Sequence, residues 1–371
     1  VPTPVIRLES PRALVESIPH LVGFVPEDSL VVVFFDAVPG ATRLRSKATV
    51  RVDLPEPGQA SAVWGAVVPV LIERVRPEVV ALVGWADAAA VGSIRAAAAT
   101  FTGGGVTVRD QILVTGSRFV SLECTDPACC PPEGMTWDPP DRSAVSAEAA
   151  VHGVRSPLAS RESLRAAVAA EEPLASQVAH RLHTMSGEHL HDLITTVGEP
   201  LRRLVQATAG GEEVSVDDAA DALIDLLSGR PRDEAVLSTL HDPESMRLVW
   251  ELLTRSAPDE LAAAPAGLAA LAAYLLGDGA AANVALDRAH AALDAVARGG
   301  APTPVSGTFG TASAERPSIW DPTLAAPPDH PQLALVENLS RLVGSGIPPN
   351  EVERVLRTVY TEENLTRAWE G

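Results

Sequence analysis

Four carboxylates, Glu27, Asp28, Asp53 and Asp87, each stand beside a short run of apolar or alternating residues. Gathered in one place they would hold Mg2+ or Mn2+, or serve as general acid and base. A second group, Cys124, Cys129 and Cys130, lies in one Pro-rich loop. It offers three thiolates to a metal, with Asp126, Glu133 or a distant histidine as fourth ligand, or a reactive thiol to redox chemistry. His183, His189 and His191 lie near Glu188 and Asp192. On a helix, residues two apart diverge by roughly 200°, so His189 and His191 cannot share an ion and read as solvated or capping groups.

Each group has a structural account beside the chemical one. Asp87 is placed as a helix N-cap, Asp53 precedes a Pro-containing turn, and Glu27-Asp28 solvate a loop. For these acids the structural account is the stronger. The C-x4-C-C spacing matches no zinc knuckle, and vicinal thiolates reach one tetrahedral ion only by bending back. A Pro-braced turn with small buried cysteines therefore weighs as much as metal and redox roles together.

The elements that must position these residues follow from periodicity. Ser10-Pro11 caps a short helix expected to stop near Pro19. Residues 30–35 are continuously apolar, as in a strand buried on both faces. Residues 46–53 alternate, with Ala48, Val50 and Val52 on one side. A helix over 59–75 must kink or split at Pro69. Residues 79–85 form a third strand, and Asp87 opens a helix ending at Gly103-Gly104-Gly105. Residues 106–115 and 118–124 pair as a hairpin across Gly116-Ser117.

The first two strands, joined by a loop, run antiparallel; the third, reached through a helix, runs parallel to the second. Glu27, Asp28, Asp53 and Asp87 then share one end of the sheet, where open α/β folds bind ligands. The cysteine loop departs on the other side.

The fold class is an α/β N-terminal domain with a mixed sheet, followed by an all-α helical C-terminal half. The expected divisions are 1–142 for the α/β domain and 143–298 for the helical domain. Residues 299–331 form a linker rich in Pro, Gly, Ser and Thr, and 332–371 hold the last helices. Helical spacing covers 161–171, 174–186, 188–208, 215–229, 233–240, 243–256, 266–276, 279–297, 332–343 and 348–369. The pair around Gly277-Asp278-Gly279 has the texture of a tetratricopeptide helix–turn–helix without a second copy. Asp278 and Arg288 are expected to fix that turn.

Composition sets bounds. The formal net charge is −19 with no local basic patch, which opposes binding to nucleic acid and to acidic membranes. Lys47 is the sole lysine, which excludes a P-loop and argues against a Schiff-base lysine. No G-x-S-x-G elbow marks a serine hydrolase. No signal segment or long apolar run is present in the sequence, and the clustered, odd cysteine set is a poor disulfide framework; a cytoplasmic location is expected.

Several segments carry a family resemblance. They are Gly23-Phe24-Val25-Pro26-Glu27-Asp28-Ser29-Leu30-Val31-Val32-Val33, the Cys124–Gly134 run, Gly277-Asp278-Gly279-Ala280 with Ala285-Leu286-Asp287-Arg288-Ala289, and Gly346-Ile347-Pro348-Pro349. Together they resemble the actinobacterial domain-of-unknown-function family 4192, with the segment 299–331 as an interruption. The resemblance implies an actinobacterial source, and it implies neither an activity nor catalytic residues.

The leading functional expectation is a regulatory or adaptor protein whose helical half binds a protein partner and whose α/β domain binds or displays something small. The alternatives are a metal-dependent enzyme, such as a hydrolase, at the acidic sheet end, and a cysteine-based metal or redox sensor. The residues specify no cofactor and no oligomeric state.

Overall fold

The computed structural model describes residues 10–37, 44–56, 58–128, 130–152, 154, 156–297, 331–344 and 347–361. The chain splits into two compact units, Val1–Ser163 and Leu164–Gly371.

In the first unit, α1 (Pro11–Val22) starts where Ser10 Oγ accepts from the Ala13 amide at 3.1 Å. It ends at Gly23, whose φ of 82° a residue with a Cβ rarely adopts. The expected stop at Pro19 is not observed. Pro19 forfeits one bond near the helix end, and the burial of Ile18, Pro19 and Val22 offsets the loss.

A six-stranded mixed sheet follows. It comprises β1 (Ser29–Ala37), β2 (Leu44–Asp53), β3 (Val79–Trp85), β4 (Thr107–Thr115), β5 (Arg118–Ser121) and β6 (Met135–Thr136) in the order β2-β1-β3-β4-β5-β6. β1 pairs antiparallel with both β2 and β3, and β3 pairs parallel with β4. β2 and β3 therefore run in one direction with β1 between them. α2 (Ala60–Val75) and α3 (Val91–Gly103) cross between strands. α2 passes through Pro69 without splitting. α4 (Ala144–Val151), which the sequence pattern did not suggest, begins at the cap Ser143.

Alternation divides the sheet residues between two faces. Leu30, Val32, Phe34, Val80 and Leu82 share a core with Trp64 and Val68 of α2 and Ile94, Ala97 and Phe101 of α3. Phe34 and Phe101 meet edge to face at 6.1 Å. The Trp64 indole donates to Ser93 Oγ at 2.9 Å, so this core buries its one large polar handle in a satisfied state. The opposite face is buried as well, at Val31, Val33, Ala81 and Val83.

α5 (Arg161–Ala166) spans the division between the units. The second unit continues with α6 (Leu174–Thr184), α7 (Gly187–Thr195), α8 (Glu199–Ala209), α9 (Val216–Asp225), α10 (Gly229–His241), α11 (Pro243–Ser256), α12 (Ala263–Leu275), α13 (Gly279–Ala297), α14 (Pro331–Gly344) and α15 (Pro349–Val359). A single helix expected over 188–208 is two, α7 and α8. Gly198 turns the chain at φ 86° and Pro200 then restarts it at a position where a missing amide hydrogen costs nothing. α12 is buried from Ala263 to Tyr274. A helix apolar all round must be enclosed, and α10, α11, α13, α14 and α15 enclose it. The expected linker, 299–331, lies outside the described residues up to 330, as does the helix expected beyond 361.

Candidate functional site

The sheet end where β1 begins and β2 and β3 finish carries the four predicted acids. Ser29 pairs across β1 with Asp53 of β2 on one side and Trp85 of β3 on the other. Glu27 and Asp28 immediately precede β1, and Asp87 lies two residues beyond β3. All four side chains are exposed. Asp87 Oδ1 accepts from the Ala89 amide at 2.9 Å and opens the 3-10 turn leading into α3. Asp53 meets Arg51 at 2.5 Å and Arg161 at 3.9 Å. Asp28 holds a φ of 41°, a conformation Asp tolerates better than most residues, and its carbonyl accepts from the Leu54 amide at 3.0 Å. Asp87 thus fills the N-cap role read from the sequence. Among the described residues, no group of three or more His, Cys, Asp or Glu side chains is placed to hold a metal ion.

What the sequence did not single out lies on the inner side of the same end. Ser29 is fully buried and Trp85 is 5 % exposed. Ser29 Oγ, Trp85 Nε1 and Arg51 Nε are each enclosed without a hydrogen-bond partner among the described residues. Cross-strand register puts Ser29 and Trp85 side by side on one face, and Arg51, two residues before Asp53, shares that face. Arg51 spans the region: its Nη2 donates to the Glu27 carbonyl at 3.4 Å and its guanidinium lies 5.8 Å from the Phe24 ring centre. Trp85 meets Trp137 edge to face at 5.0 Å, and the Trp137 indole donates to the Gly116 carbonyl at 2.9 Å. Of the two facing indoles, one is satisfied by the β4–β5 turn and the other meets no acceptor among the described residues. A serine at the mouth of an apolar strand and a tryptophan at its neighbour's exit were the available signal. Only the register makes them neighbours.

The cysteine loop is on the other side of the sheet, since β1, β3 and β4 separate β2 from β5. Asp126 Oδ1 accepts from the Ala128 amide at 2.9 Å, and the Asp126 carbonyl accepts from the Cys130 amide at 2.7 Å. Arg118 Nη1 reaches the Glu133 and Gly134 carbonyls at 3.1 and 2.8 Å. Cys124 and Cys130 are half-buried; Cys129 lies outside the described residues.

In the second unit, Asp278 does fix the turn between α12 and α13, through the Ala281 amide at 3.0 Å. Its arginine partner is Arg247 of α11, at 2.9 Å, whereas Arg288 pairs with Asp259 at 2.8 Å. Arg288 lies a helical stretch further along α13, out of step with the turn. His189, read as solvated or capping, is half-buried and meets the buried Asp221 of α9 at 2.9 Å.

Fold and site define a protein of an α/β unit with a mixed sheet and a helical unit. Residues 11–294 match the family described as Domain of unknown function (DUF4192), and the chain belongs to that family. No curated protein and no solved structure matches the chain. No helix among the described residues is long and apolar enough to cross a membrane.

Proposed function

We propose that this protein is a cytoplasmic regulatory or adaptor protein of actinobacterial origin. In this reading the α/β unit binds a small ligand at the sheet end around Ser29 and Trp85, and the helical unit binds a protein partner. The observation that carries the reading is the trio of enclosed polar groups, Ser29 Oγ, Trp85 Nε1 and Arg51 Nε, with no hydrogen-bond partner among the described residues. Leaving a buried donor unpaired costs about 1–3 kcal/mol, and a fold that keeps three near one end of its sheet has a use for them. The location is also where open α/β sheets receive ligands, beyond the carboxyl ends of parallel strands. On the helical unit, Val355 and Val359 of α15 are more than half exposed one turn apart, which supports a docking edge there.

The test is a thermal-shift screen of the full chain against small molecules of varied chemistry, repeated on Ser29→Ala and Trp85→Phe. Compounds that stabilise the parent and lose their effect in both variants support the reading. A screen whose only hits act equally on parent and variants overturns it.

A further inference from the structure

We infer that the ligand of this sheet end joins a carbonyl-type oxygen to a protonated amine, as an amino-acid amide or the amino terminus of a peptide does. The inference rests on the small-ligand reading above and adds the ligand's chemistry.

Two observations define it. The first is the sense of the enclosed groups. An indole N–H and a guanidinium N–H only donate, and a serine hydroxyl donates as readily as it accepts. Trp85 Nε1, Arg51 Nε and Ser29 Oγ therefore complement an oxygen acceptor. The second is the charge around them. Glu27, Asp28, Asp53 and Asp87 expose four carboxylates at this end. The guanidinium groups of Arg51 and Arg161 both lie against Asp53, at 2.5 and 3.9 Å. The acids outnumber the cations, and the whole chain carries −19. A carboxylate or phosphate would satisfy the donors but meet repulsion at the rim. A carbonyl oxygen satisfies the same donors without that cost, and an amine attached to it gains from the rim. The acids and the buried donors thus act on opposite ends of one molecule.

The test uses the full chain, uniformly labelled with 15N, and reads the tryptophan indole signals. The Trp85 signal is assigned by its loss in Trp85→Phe. The probes are leucinamide, N-acetyl-leucinamide, a short peptide with a free amino terminus, acetate and phosphate. Leucinamide or the peptide should move the Trp85 signal saturably, and comparing the two separates a metabolite from a peptide as the source. The acetylated amide should bind at least tenfold more weakly. Raising the salt should weaken leucinamide binding, and Ser29→Ala should weaken it at least tenfold. If acetate or phosphate moves the Trp85 signal and leucinamide does not, the ligand class is wrong while the small-ligand reading stands. If no probe moves it and the thermal-shift screen also lacks hits that depend on Ser29 and Trp85, both fail. If leucinamide binds equally to parent and Ser29→Ala, or shifts the remaining indole signals of Trp85→Phe with undiminished affinity, its site is elsewhere and the inference is overturned.

Discussion

Asp278 holds two helices with its two carboxylate oxygens: Oδ2 meets Arg247 Nη1 of α11 at 2.9 Å, and Oδ1 accepts the Ala281 amide of α13 at 3.0 Å. Arg247 is 5 % exposed and also meets Glu251 at 2.7 Å. Asp278→Ala should destabilise the protein by about 2–4 kcal/mol, because it leaves a buried guanidinium short of a partner and removes a cap. Arg247→Met should cost less, since Asp278 is more exposed and keeps its capping role. Urea unfolding of both variants checks this, and a larger loss in Arg247→Met refutes it.

Glu16 supplies a pH-dependent contribution. It is 5 % exposed, and burial pushes its carboxyl up. Hydrogen bonds from Arg12 Nε at 2.7 Å, Ser143 Oγ at 2.7 Å and the Asp138 amide at 3.1 Å pull harder in the other direction, to a net lowering. A carboxyl lowered by folding stabilises the native state above its unfolded value, near pH ~4.3, and loses that contribution as pH falls through its folded value. Glu16→Gln should therefore be less stable than the parent at neutral pH. The gap should narrow as pH drops below about 4. A gap that is constant from pH 7 to about 3 would show that the carboxylate's charge plays no part.

Gly84 marks a close approach between β3 and α3. A Cβ there would fall 2.4 Å from Ile94 Cδ1 and 2.9 Å from its Cγ1, in a core where Ile94 is fully buried. Gly84→Ala should cost about 1–3 kcal/mol by overpacking. Combined with Ile94→Val, which removes the clashing methyl, the loss should be smaller than the two single losses added. Strict additivity in thermal unfolding would place the strain elsewhere.

Ser29→Ala should leave the ligand-free protein unchanged or raise its stability by up to about 1 kcal/mol, since it removes a buried hydroxyl with no partner. A marked loss in calorimetry would mean that the hydroxyl serves the fold.

We propose that the α/β unit folds alone. Residues 1–163 expressed by themselves should unfold cooperatively and show near-ultraviolet dichroism from packed tryptophans. A fragment without either property would show that its core needs residues beyond 163.

How much of this was legible in the sequence depended on the range of the interaction. β1 and β3 were visible as continuous apolar runs because both of their faces are covered, and β2 by alternation because its second face carries Arg51 and Asp53. Helix or loop connections were enough to set strand directions, which placed the four acids at one end. The pairing of β1 with β3 joins residues some fifty positions apart through no local pattern, and the site's inner groups depend on it. Ser29 and Trp85 each look unremarkable until the register sets them side by side. Arg247 and Asp278 meet from separate helices, so a sequence-near arginine, Arg288, was the obvious and wrong partner. Pro19 and Pro200 illustrate the same limit: the first sits inside a helix and the second starts one, and burial and the neighbouring Gly198 decide between those outcomes.

The entry to β1 is closed by the far end of its own unit. Leu158 donates to the Gly23 carbonyl at 2.9 Å and accepts from the Val25 amide at 3.0 Å, making a parallel bridge across Phe24. A ribosome makes residues 23–25 well before residue 158, so the nascent sheet emerges with that stretch of backbone unpaired. Its mouth, with Phe24 beneath Arg51, can be sealed only after the last residues of the unit have left the exit tunnel. The order of synthesis thus leaves the entry to β1 without this bridge until residue 158 has emerged.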